Sequence, residues 1–310
     1  MRVMVTGCAG FIGSNLLKKL VQMPIDVIGI DNFDNLLYPS SYKKNNLKPF
    51  KSSKNFKFCH LDMSKGHIPK KIKDVDFIFN FAALPGQALS WKYTSDYIRN
   101  NFETVSQLLS SYSSTSAPRI LHISTSSVYG ENAISSEDSI CSPNNPYGVT
   151  KLAAENLLRA HAMYFPLDFK IFRLFSVYGP NQRPDMGIHK FLSQIQNGKE
   201  VTVYGNGNQT RDFTYIDDLT STLLKTLLNW ETIEERLFNI SGGHQYSVLE
   251  LIEVCEKVIG RKAIIKSIAK PVGDQQNTKS TSPLALIKLG HKPETDLTSG
   301  LKLQYKSMQF

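Results

Sequence analysis

The feature that most restricts the fold of this chain is a glycine-rich turn directly after its first apolar run. Residues 2–6 predict a buried strand, and the chain continues through Gly7-Cys8-Ala9-Gly10-Phe11-Ile12-Gly13 into a helix predicted over 11–21. Glycine in such a turn lets the backbone approach a pyrophosphate, while the helix directs its N-terminal amides at the phosphates. Strand, turn and helix together predict a dinucleotide-binding βαβ unit.

Two acidic residues at the ends of later strands bear on the cofactor. Asp31 follows the second predicted strand, 26–30, and lies eighteen residues beyond Gly13. A carboxylate there accepts hydrogen bonds from both ribose hydroxyls and repels a 2′-phosphate, which favours NAD over NADP. Asp62 follows the third strand, where it can either contact the adenine or cap a helix or turn.

The rest of the chain alternates short β-branched runs with helix-period segments, which predicts an α/β fold with a Rossmann-type, doubly wound parallel sheet. Further strands are predicted at 56–61, 75–81, 119–124, 169–175 and 237–241. Further helices are predicted near 98–112, 146–164, 187–197, 217–229 and 247–259. We expect an NAD-binding domain over 1–175, joined by the later strand near 237–241, and a smaller substrate-binding lobe over most of 176–310.

Composition excludes several other classes of protein. The chain has 41% hydrophobic and 20% charged residues, with no apolar run of the ~20 residues that a membrane-spanning helix needs. Its four scattered cysteines lack the spacing of a zinc site, so we expect reduced thiols, no metal and a cytoplasmic location. The net charge of +9 suits a small polyanionic ligand better than nucleic acid, because the lysines are spread from Lys18 to Lys306.

The chemistry is predicted at a tyrosine–lysine pair and the hydroxyl-rich segment before it. Tyr147 and Lys151 are four residues apart, on one face of a predicted helix. A nearby ammonium, with the charge of an oxidised nicotinamide, stabilises a phenolate that would otherwise need a pH of ~10. The segment 124–130 (Ser-Thr-Ser-Ser-Val-Tyr-Gly) ends a buried strand at the crevice of the sheet, where a hydroxyl can bond the substrate oxygen. A surface Tyr–Lys pair is the alternative interpretation of the two residues alone.

These motifs together resemble the extended short-chain dehydrogenase/reductase family of nucleotide-sugar epimerases and dehydratases. The resemblance adds Asn80-Phe-Ala-Ala83 and Arg211-Asp-Phe-Thr-Tyr-Ile-Asp-Asp218, follows the family's order and covers essentially the whole chain. Within the family, residues 173–186 are most similar to the UDP-glucuronate 4-epimerases. The resemblance implies tightly held NAD, hydride transfer from C4 of the sugar, rotation of the 4-keto sugar and return of the hydride to its other face.

The resemblance also implies roles for individual residues. Tyr147 would be the base at the 4-hydroxyl, Lys151 would hold the nicotinamide ribose and tune Tyr147, and Thr125 would bond O4. The expected cofactor-binding residues are Gly7, Gly10, Phe11, Ile12, Gly13, Asp31, Asn32, Asp62, Met63, Phe81, Ala82, Ala83, Asn101, Ser124, Tyr147 and Lys151. The expected substrate-binding residues are Pro85, Thr125, Ser126, Ser127, Tyr147, Ser176, Arg183, Arg211, Lys270 and Asp274.

The choice among family activities depends on a few positions. The 4,6-dehydratases have an Asp-Glu pair after the threonine, where this chain has Ser126 and Ser127, and the glutamate of the related decarboxylases is also absent. Ser126, Ser127, Ser176 and Arg183 form a set suited to a sugar carboxylate, since arginine binds that group with two parallel bonds. The alternative for Arg183 is a salt bridge to Asp185.

Three further positions complicate the comparison with glucuronate enzymes. Arg211 maps onto a diphosphate contact, with pairing to Asp212, Asp217 or Asp218 as the alternative. The family's arginine before its Gly-Asp pair is replaced by Lys270, which offers only a point charge. Ala88 stands where glucuronate enzymes often have arginine, which weakens the case for an acidic sugar.

The sequence therefore predicts a UDP-sugar 4-epimerase, with UDP-glucuronate as the first choice. The alternatives are an epimerase of UDP-glucose or UDP-N-acetylglucosamine, a non-catalytic NAD sensor, and a nucleic-acid-binding protein favoured by net charge alone. We also predict a homodimer, because the helices near 98–112 and 146–164 contain the apolar runs Leu108-Leu109 and Leu157-Leu158. These faces could instead cover the sheet.

Overall fold

The structure, a computed structural model, describes residues 1–112 and 117–308. The strands are β1 (Arg2–Thr6), β2 (Asp26–Asp31), β3 (Phe56–His60), β4 (Phe77–Asn80), β5 (Arg119–Thr125), β6 (Asn132–Ser135), β7 (Phe169–Leu174), β8 (Ser176–Tyr178), β9 (Glu200–Tyr204), β10 (Thr210–Tyr215), β11 (Leu237–Ile240), β12 (Gln245–Ser247), β13 (Ile264–Ile268) and β14 (Asn277–Ser280). The helices are α1 (Phe11–Leu20), α2 (Ser40–Leu47), α3 (Lys70–Lys73), α4 (Ala88–Lys92), α5 (Thr94–Ile98), α6 (Thr104–Tyr112), α7 (Pro146–Tyr164), α8 (Gly187–Gln196), α9 (Ile216–Leu228), α10 (Val248–Ile259), α11 (Leu284–Leu289) and α12 (Leu297–Ser307).

Seven parallel strands form the central sheet, in the order β11-β7-β5-β4-β1-β2-β3. Strands such as β4 and β7 are buried along their whole length, as expected of a sheet covered on both faces. The strand order reverses at β1, whose neighbours are β2 and β4. In a doubly wound sheet that reversal opens a crevice at the carboxyl ends of the strands, so the predicted fold class is confirmed.

Two apolar cores lie on opposite faces of this sheet. One joins the sheet to α1 and α9 through residues such as Leu17 and Leu223. The other joins it to α6 and α7 through Leu108, Leu109 and Leu158. The leucines that suggested a dimer interface therefore pack against the sheet.

A second sheet completes the fold beside the crevice. It has the order β12-β10-β14-β6, with β8 also paired to β10. The pairing of β14 with β6 aligns Asn277 with Asn132 and Ser280 with Ser135. The second sheet thus takes strands from both sides of residue 175. None of the helices in the described part of the chain is long and apolar enough to cross a membrane.

All seven predicted strands of the central sheet are present, with ends shifted by at most two residues. The helix predicted over 98–112 differs: α5 runs through a π-helical turn, Arg99–Glu103, into α6. The short strands of the second sheet were not predicted, because segments such as Asn277–Ser280 (Asn-Thr-Lys-Ser) contain no apolar run.

Candidate active site

The carboxyl ends of the central strands face the second sheet across a cleft of about 930 Å³. We call the side formed by the ends of β1, β2, β4 and β5 the sheet wall, and the side formed by residues 176–191 and the second sheet the lobe wall. The predicted residues that line the cleft are Gly7, Gly10, Phe11, Ile12, Gly13, Asp31, Asn32, Asp62, Met63, Phe81, Ala82, Ala83, Pro85, Ser124, Thr125, Ser126, Ser127, Tyr147, Lys151, Ser176, Arg183, Arg211 and Asp274. The sequence motifs thus converge on one site.

In the glycine turn on the sheet wall, Gly7 and Gly13 have no room for a side chain. Gly7 has a φ of +64°, and a Cβ there would lie 3.0 Å from the amide nitrogen of Ala82. A Cβ on Gly13 would lie 2.4 Å from the carbonyl oxygen of Gly7. Helix α1 begins at this turn with Gly10 as its N-cap and no capping side chain, so its first amides are left for a ligand. This bare, positively polarised turn fits the pyrophosphate of NAD.

Asp31 is fixed against the glycine turn. Its Oδ2 accepts a hydrogen bond from the Ala9 amide at 3.1 Å, and its Oδ1 accepts one from the Phe33 amide at 2.8 Å. Burial raises the pKa of Asp31, and the ammonium of Lys43, 3.9 Å away, opposes that rise. The carboxylate therefore lies where the ribose of a dinucleotide was predicted, with Lys43 as an additional cation beside it.

Asp62 has the capping role that was one of its two predicted alternatives. Its Oδ1 accepts hydrogen bonds from the backbone and hydroxyl of Ser64, at 3.1 and 2.7 Å. The residue also lines the cleft, so the adenine contact stays a prediction beside the cap.

Tyr147 lies in the first turn of α7, which Asn145 caps by accepting a hydrogen bond from the Gly148 amide at 2.9 Å. Its ring packs edge-on against Tyr97, with centroids 6.2 Å apart. Burial raises the pKa of Tyr147, whereas a hydrogen bond with Thr125 and the charge of Arg183 lower it. The phenol is thus placed between a hydroxyl of the sheet wall and a cation of the lobe wall.

Lys151 lies one helical turn after Tyr147 and is 3% exposed. Its Nζ is 3.2 Å from Nε2 of His122, whose Nδ1 lies 3.0 Å from Nδ2 of Asn80. Burial lowers the pKa of Lys151 to about 8, with the charge of Glu155 opposing. Within the described part of the chain its hydrogen-bond partner is His122 and not Tyr147, so the tuning of Tyr147 by Lys151 stays a prediction.

The hydroxyls after β5 have two different orientations. Ser124 donates its hydroxyl to Glu155 at 2.5 Å, and Glu155 also binds Arg173. Thr125 and Ser127 instead face each other, with their oxygens 3.2 Å apart. Thr125 Oγ1 also accepts a hydrogen bond from the Ser127 amide at 3.1 Å. Of these three hydroxyls, those of Thr125 and Ser127 are the ones available to the cleft.

Ion pairs organise the lobe wall. Arg183 donates from Nε and Nη2 to the two oxygens of Asp185, at 3.0 and 2.6 Å. Its guanidinium also lies 5.5 Å from the ring centroid of Tyr38. The salt bridge predicted as the alternative for Arg183 is therefore present. It leaves Nη1 without a hydrogen-bond partner among the described residues.

Arg211 has a different partner from the acids considered in the sequence. It donates from Nη2 to Asp274 at 2.9 Å, and from Nη1 to the Thr210 carbonyl at 2.9 Å. Asp274 belongs to the segment just before β14. The pair links β10 to the segment before β14, and both of its residues line the cleft.

Two predicted ligand residues do not line the cleft. Asn101 is fully buried and bonds both backbone groups of Leu84 and the hydroxyl of Thr150, which fixes the loop after β4 against α7. Lys270 donates to Glu131 and Gln276, each at 3.1 Å. The structure therefore supports a positioning role for Asn101 and gives no contact through which Lys270 would bind substrate.

Two glutamines that line the cleft were not predicted from the sequence. Gln87 donates to Ser127 Oγ at 2.8 Å, and Gln275 donates to the backbone of the same segment. Both lie in loops without a periodic pattern. The one available signal was the position of Gln87, four residues after the Ala-Ala motif ending at Ala83.

The doubly wound sheet, the glycine turn and the buried tyrosine–lysine helix define an NAD-binding enzyme of the extended short-chain dehydrogenase/reductase type. The model described as the NAD dependent epimerase/dehydratase family matches residues 3–241. The chain belongs to that family.

Relatives in the family extend over the whole chain. An uncharacterised UDP-glucose epimerase of Bacillus subtilis is 38% identical over 308 residues, 97% of this chain and 96% of the relative. A UDP-glucuronate 4-epimerase of Thermodesulfobacterium geofontis is 32% identical over 305 residues, 96% of this chain and 93% of the relative. The structure of UDP-glucuronic acid 4-epimerase from Bacillus cereus, in complex with UDP-glucuronic acid and NAD, is 36% identical. It superimposes with a TM-score of 0.93 over 99% of this chain and 98% of that one.

Proposed function

We propose that the protein is an NAD-dependent epimerase that inverts C4 of a UDP-sugar through a transient 4-keto intermediate, converting UDP-glucuronate to UDP-galacturonate. The observation behind this proposal is that Thr125, Tyr147 and Arg183 line the same cleft as the glycine turn. In this proposal a hydroxyl and a phenol bind the 4-oxygen of one sugar, and an arginine binds its acidic group.

In this proposal Tyr147 takes the proton of the sugar 4-hydroxyl, which it hydrogen-bonds together with Thr125. The glycine turn binds the pyrophosphate of the cofactor, Asp31 binds its adenosine ribose and Lys151 its nicotinamide ribose. When bound, NAD supplies the acceptor, and later the donor, of the hydride at C4. Tyr147 then returns the proton to the 4-oxygen of the inverted sugar, so the base is restored at the end of each cycle.

The substrate is expected to lie along the lobe wall. Arg211 and Asp274, at the edge of the cleft, are assigned to the diphosphate. Ser126, Ser127, Ser176 and Arg183 are assigned to the carboxylate. Oxidation of glucuronate at C4 makes a β-keto acid, which loses CO₂ when the breaking bond is perpendicular to the carbonyl plane. Firm binding of the carboxylate protects the intermediate by preventing that alignment.

A neutral sugar, UDP-glucose or UDP-N-acetylglucosamine, is the second candidate. It is favoured by the bidentate salt bridge of Arg183 with Asp185, which partly neutralises the only arginine assigned to the carboxylate. Ala88, in place of the arginine often found in glucuronate enzymes, favours it too. The Bacillus subtilis relative is likewise named for UDP-glucose.

The experiment that separates the candidates is incubation of the purified protein with UDP-glucuronate, UDP-glucose and UDP-N-acetylglucosamine. NMR of the products gives the configuration at C4. We expect UDP-glucuronate to be inverted fastest, without net consumption of NAD. Much faster inversion of either neutral sugar would overturn the assignment of the carboxylate site, and no inversion of any sugar would overturn the proposal as a whole.

We further propose a cytoplasmic homodimer that pairs the helices around α5 and α7. Its support is now the exposed apolar side chains of Ile98 and Val149, which are 43% and 51% exposed on those helices. Light scattering at micromolar concentration tests the assembly, and a monomer under those conditions would exclude it.

A further inference from the structure

Two glutamines outside the proposed reaction connect both walls of the cleft to the hydroxyls beside Tyr147. Gln87 lies immediately before α4, and Gln275 lies just before β14 and is 3% exposed. Their amides are in contact, with Nε2 of Gln87 2.9 Å from Oε1 of Gln275. An amide pair next to a reactive group, with one member buried and the other half-buried, affects the direction of the hydrogen bonds around it.

Backbone carbonyl groups fix which of the two amides donates the hydrogen bond between them. Nε2 of Gln275 lies 3.3 Å from the carbonyl oxygen of Ser126 and 2.9 Å from that of Gly130. Carbonyl oxygens only accept hydrogen bonds, so the NH₂ group of Gln275 must face them. Its oxygen then accepts from Gln87, whose amide nitrogen has a second hydrogen for Ser127 Oγ at 2.8 Å.

The hydroxyls continue from this fixed donor to Tyr147. Ser127 Oγ is 3.2 Å from Thr125 Oγ1, and the hydroxyl of Thr125, which lines the cleft together with Tyr147, lowers the pKa of Tyr147. While Tyr147 is a neutral phenol, Thr125 can donate to Ser127. Once Tyr147 is a phenolate it needs a donor, and Thr125 is a stronger donor when Ser127 turns its own proton towards Thr125. Because Gln87 is a donor, the proton of Ser127 is free to make that turn.

We propose that Gln87 and Gln275 are positioning residues that direct the hydroxyls of Ser127 and Thr125 to donate towards the Tyr147 phenolate. The inference deepens the proposed function, since it rests on Tyr147 being the base. It also gives the loop before β14 a part in the proton transfer, because Gln275 orients the whole series.

The other charged and titratable groups around Tyr147 are unchanged in variants of Gln87. They are Arg183 with its partner Asp185, the phenol of Tyr97 and, one turn along α7, Lys151. A change confined to Gln87 leaves these groups in place, so a shift in the titration of Tyr147 comes either from the hydroxyls or from a charge introduced at position 87.

The test is the pair Gln87→Glu and Gln87→Leu, measured in the NAD-loaded protein. A carboxylate only accepts hydrogen bonds, so in Gln87→Glu it captures the Ser127 proton and Thr125 loses its donor. We expect the acid limb of the kcat profile to move up by about one pH unit, with roughly tenfold lower activity at pH 7 that recovers at higher pH. In Gln87→Leu the Ser127 proton stays free, and we expect a smaller shift.

Gln194→Glu is the matched control, because it adds the same charge to another glutamine that lines the cleft. It should leave the acid limb in place. A shift as large as that of Gln87→Glu would mean that charge alone is responsible and would overturn the proposal. Equal loss of activity at all pH values in Gln87→Glu would overturn it as well, since that is the result of a purely structural role.

A second measurement separates this proposal from the proposed function. The ionisation of Tyr147 is followed without substrate by ultraviolet difference absorption, with Tyr147→Phe as the blank. If Tyr147→Phe keeps its activity, the assignment of the base fails; if only the Gln87→Glu titration is unshifted, the positioning role fails. Should Gln87→Glu not fold, Ser127→Ala removes the same donor, and an unshifted titration there also refutes the proposal.

Discussion

The sheet wall and the lobe wall hold their polar groups by different physical means. On the sheet wall the backbone does the positioning: Gly7 and Gly13 pack so closely against backbone atoms that a Cβ on either would clash, and backbone amides fix Asp31. On the lobe wall side chains position one another, as Arg183 does with Asp185. A site made by backbone geometry is ready for its ligand, whereas a site made by ion pairs must share or exchange partners when the ligand arrives.

The largest expected effect is at Tyr147, where the two walls meet. Tyr147→Phe removes one hydroxyl and leaves the ring packing against Tyr97 in place. We expect turnover to fall by about 10²–10⁴-fold, with NAD binding and thermal stability unchanged. Steady-state kinetics and the NAD content of the purified variant are the measurements. Activity like that of the wild type would exclude Tyr147 as the base.

The second prediction tests whether the ion pairs of the lobe wall exchange partners when the substrate binds. Arg183→Ala removes a charge-assisted contact with a sugar carboxylate, worth about 1.5–3 kcal/mol, which corresponds to roughly 10–150-fold in KM for UDP-glucuronate. Asp185→Asn weakens the competing partner and should lower that KM.

The neutral substrate is the control for this pair of variants. UDP-glucose makes no ion pair with Arg183, so its kinetics should change little in either variant. Equal losses on both sugars in Arg183→Ala would mean that Arg183 stabilises the lobe wall without binding the carboxylate.

The third prediction contrasts glycines of the two walls. In Gly13→Ala the new methyl group would lie 2.4 Å from the Gly7 carbonyl oxygen, so the turn must move. Overpacking of this kind costs about 1–3 kcal/mol, and we expect a roughly 5–150-fold weaker affinity for NAD by calorimetry. In Gly187→Ala, at the start of α8, the methyl group meets open space and binding should be unaffected. The contrast between the walls fails if both variants bind NAD alike.

The smallest effect concerns stability at the junction of the sheets. Asp212 on β10 accepts hydrogen bonds from the amides of Gly242 and Gly243, at 2.7 and 3.1 Å. Burial raises the pKa of Asp212 to about 6. The folded state therefore holds a proton that the unfolded state has lost between about pH 4 and 6, and the free energy of unfolding should decrease across that range as pH rises.

Two variants of Asp212 test this sign. Asp212→Asn keeps the accepting oxygen and loses the ionisation. As the pH rises from 4 to 7, the melting temperature of this variant should therefore increase by a few degrees relative to that of the wild type. Asp212→Ala leaves two amides unpaired and should be less stable at every pH. A constant difference between Asp212→Asn and the wild type would show that ionisation of Asp212 does not matter.

The contrast between the walls also explains what the sequence could predict. Gly7, Gly13 and Asp31 act through backbone geometry and strand ends, which leave a spacing in the sequence, and their places in the cleft were predicted. The long strands and helices were predicted for the same reason, since their apolar residues repeat with a clear period.

Contacts between distant loops leave no such spacing. The partner of Arg211 is Asp274, 63 residues away, where the sequence pointed only to the nearer acids. The Gln87–Gln275 contact spans 188 residues and joins two loops without a period. The sequence also could not decide whether Leu108 and Leu158 pack against the sheet or against another subunit, because both surfaces require the same apolar helix face.

The pairing of β6 with β14 makes the substrate side inseparable from the rest of the polypeptide. Its five-stranded sheet is assembled from segments that lie at 132–135, 176–178, 210–215, 245–247 and 277–280, interleaved with strands of the other sheet. Exchange of specificity between relatives by swapping one contiguous block would cut this sheet, so grafts must replace individual loops. During folding, the last strand must find a partner more than a hundred residues upstream, which predicts slow maturation of the cleft relative to the central sheet.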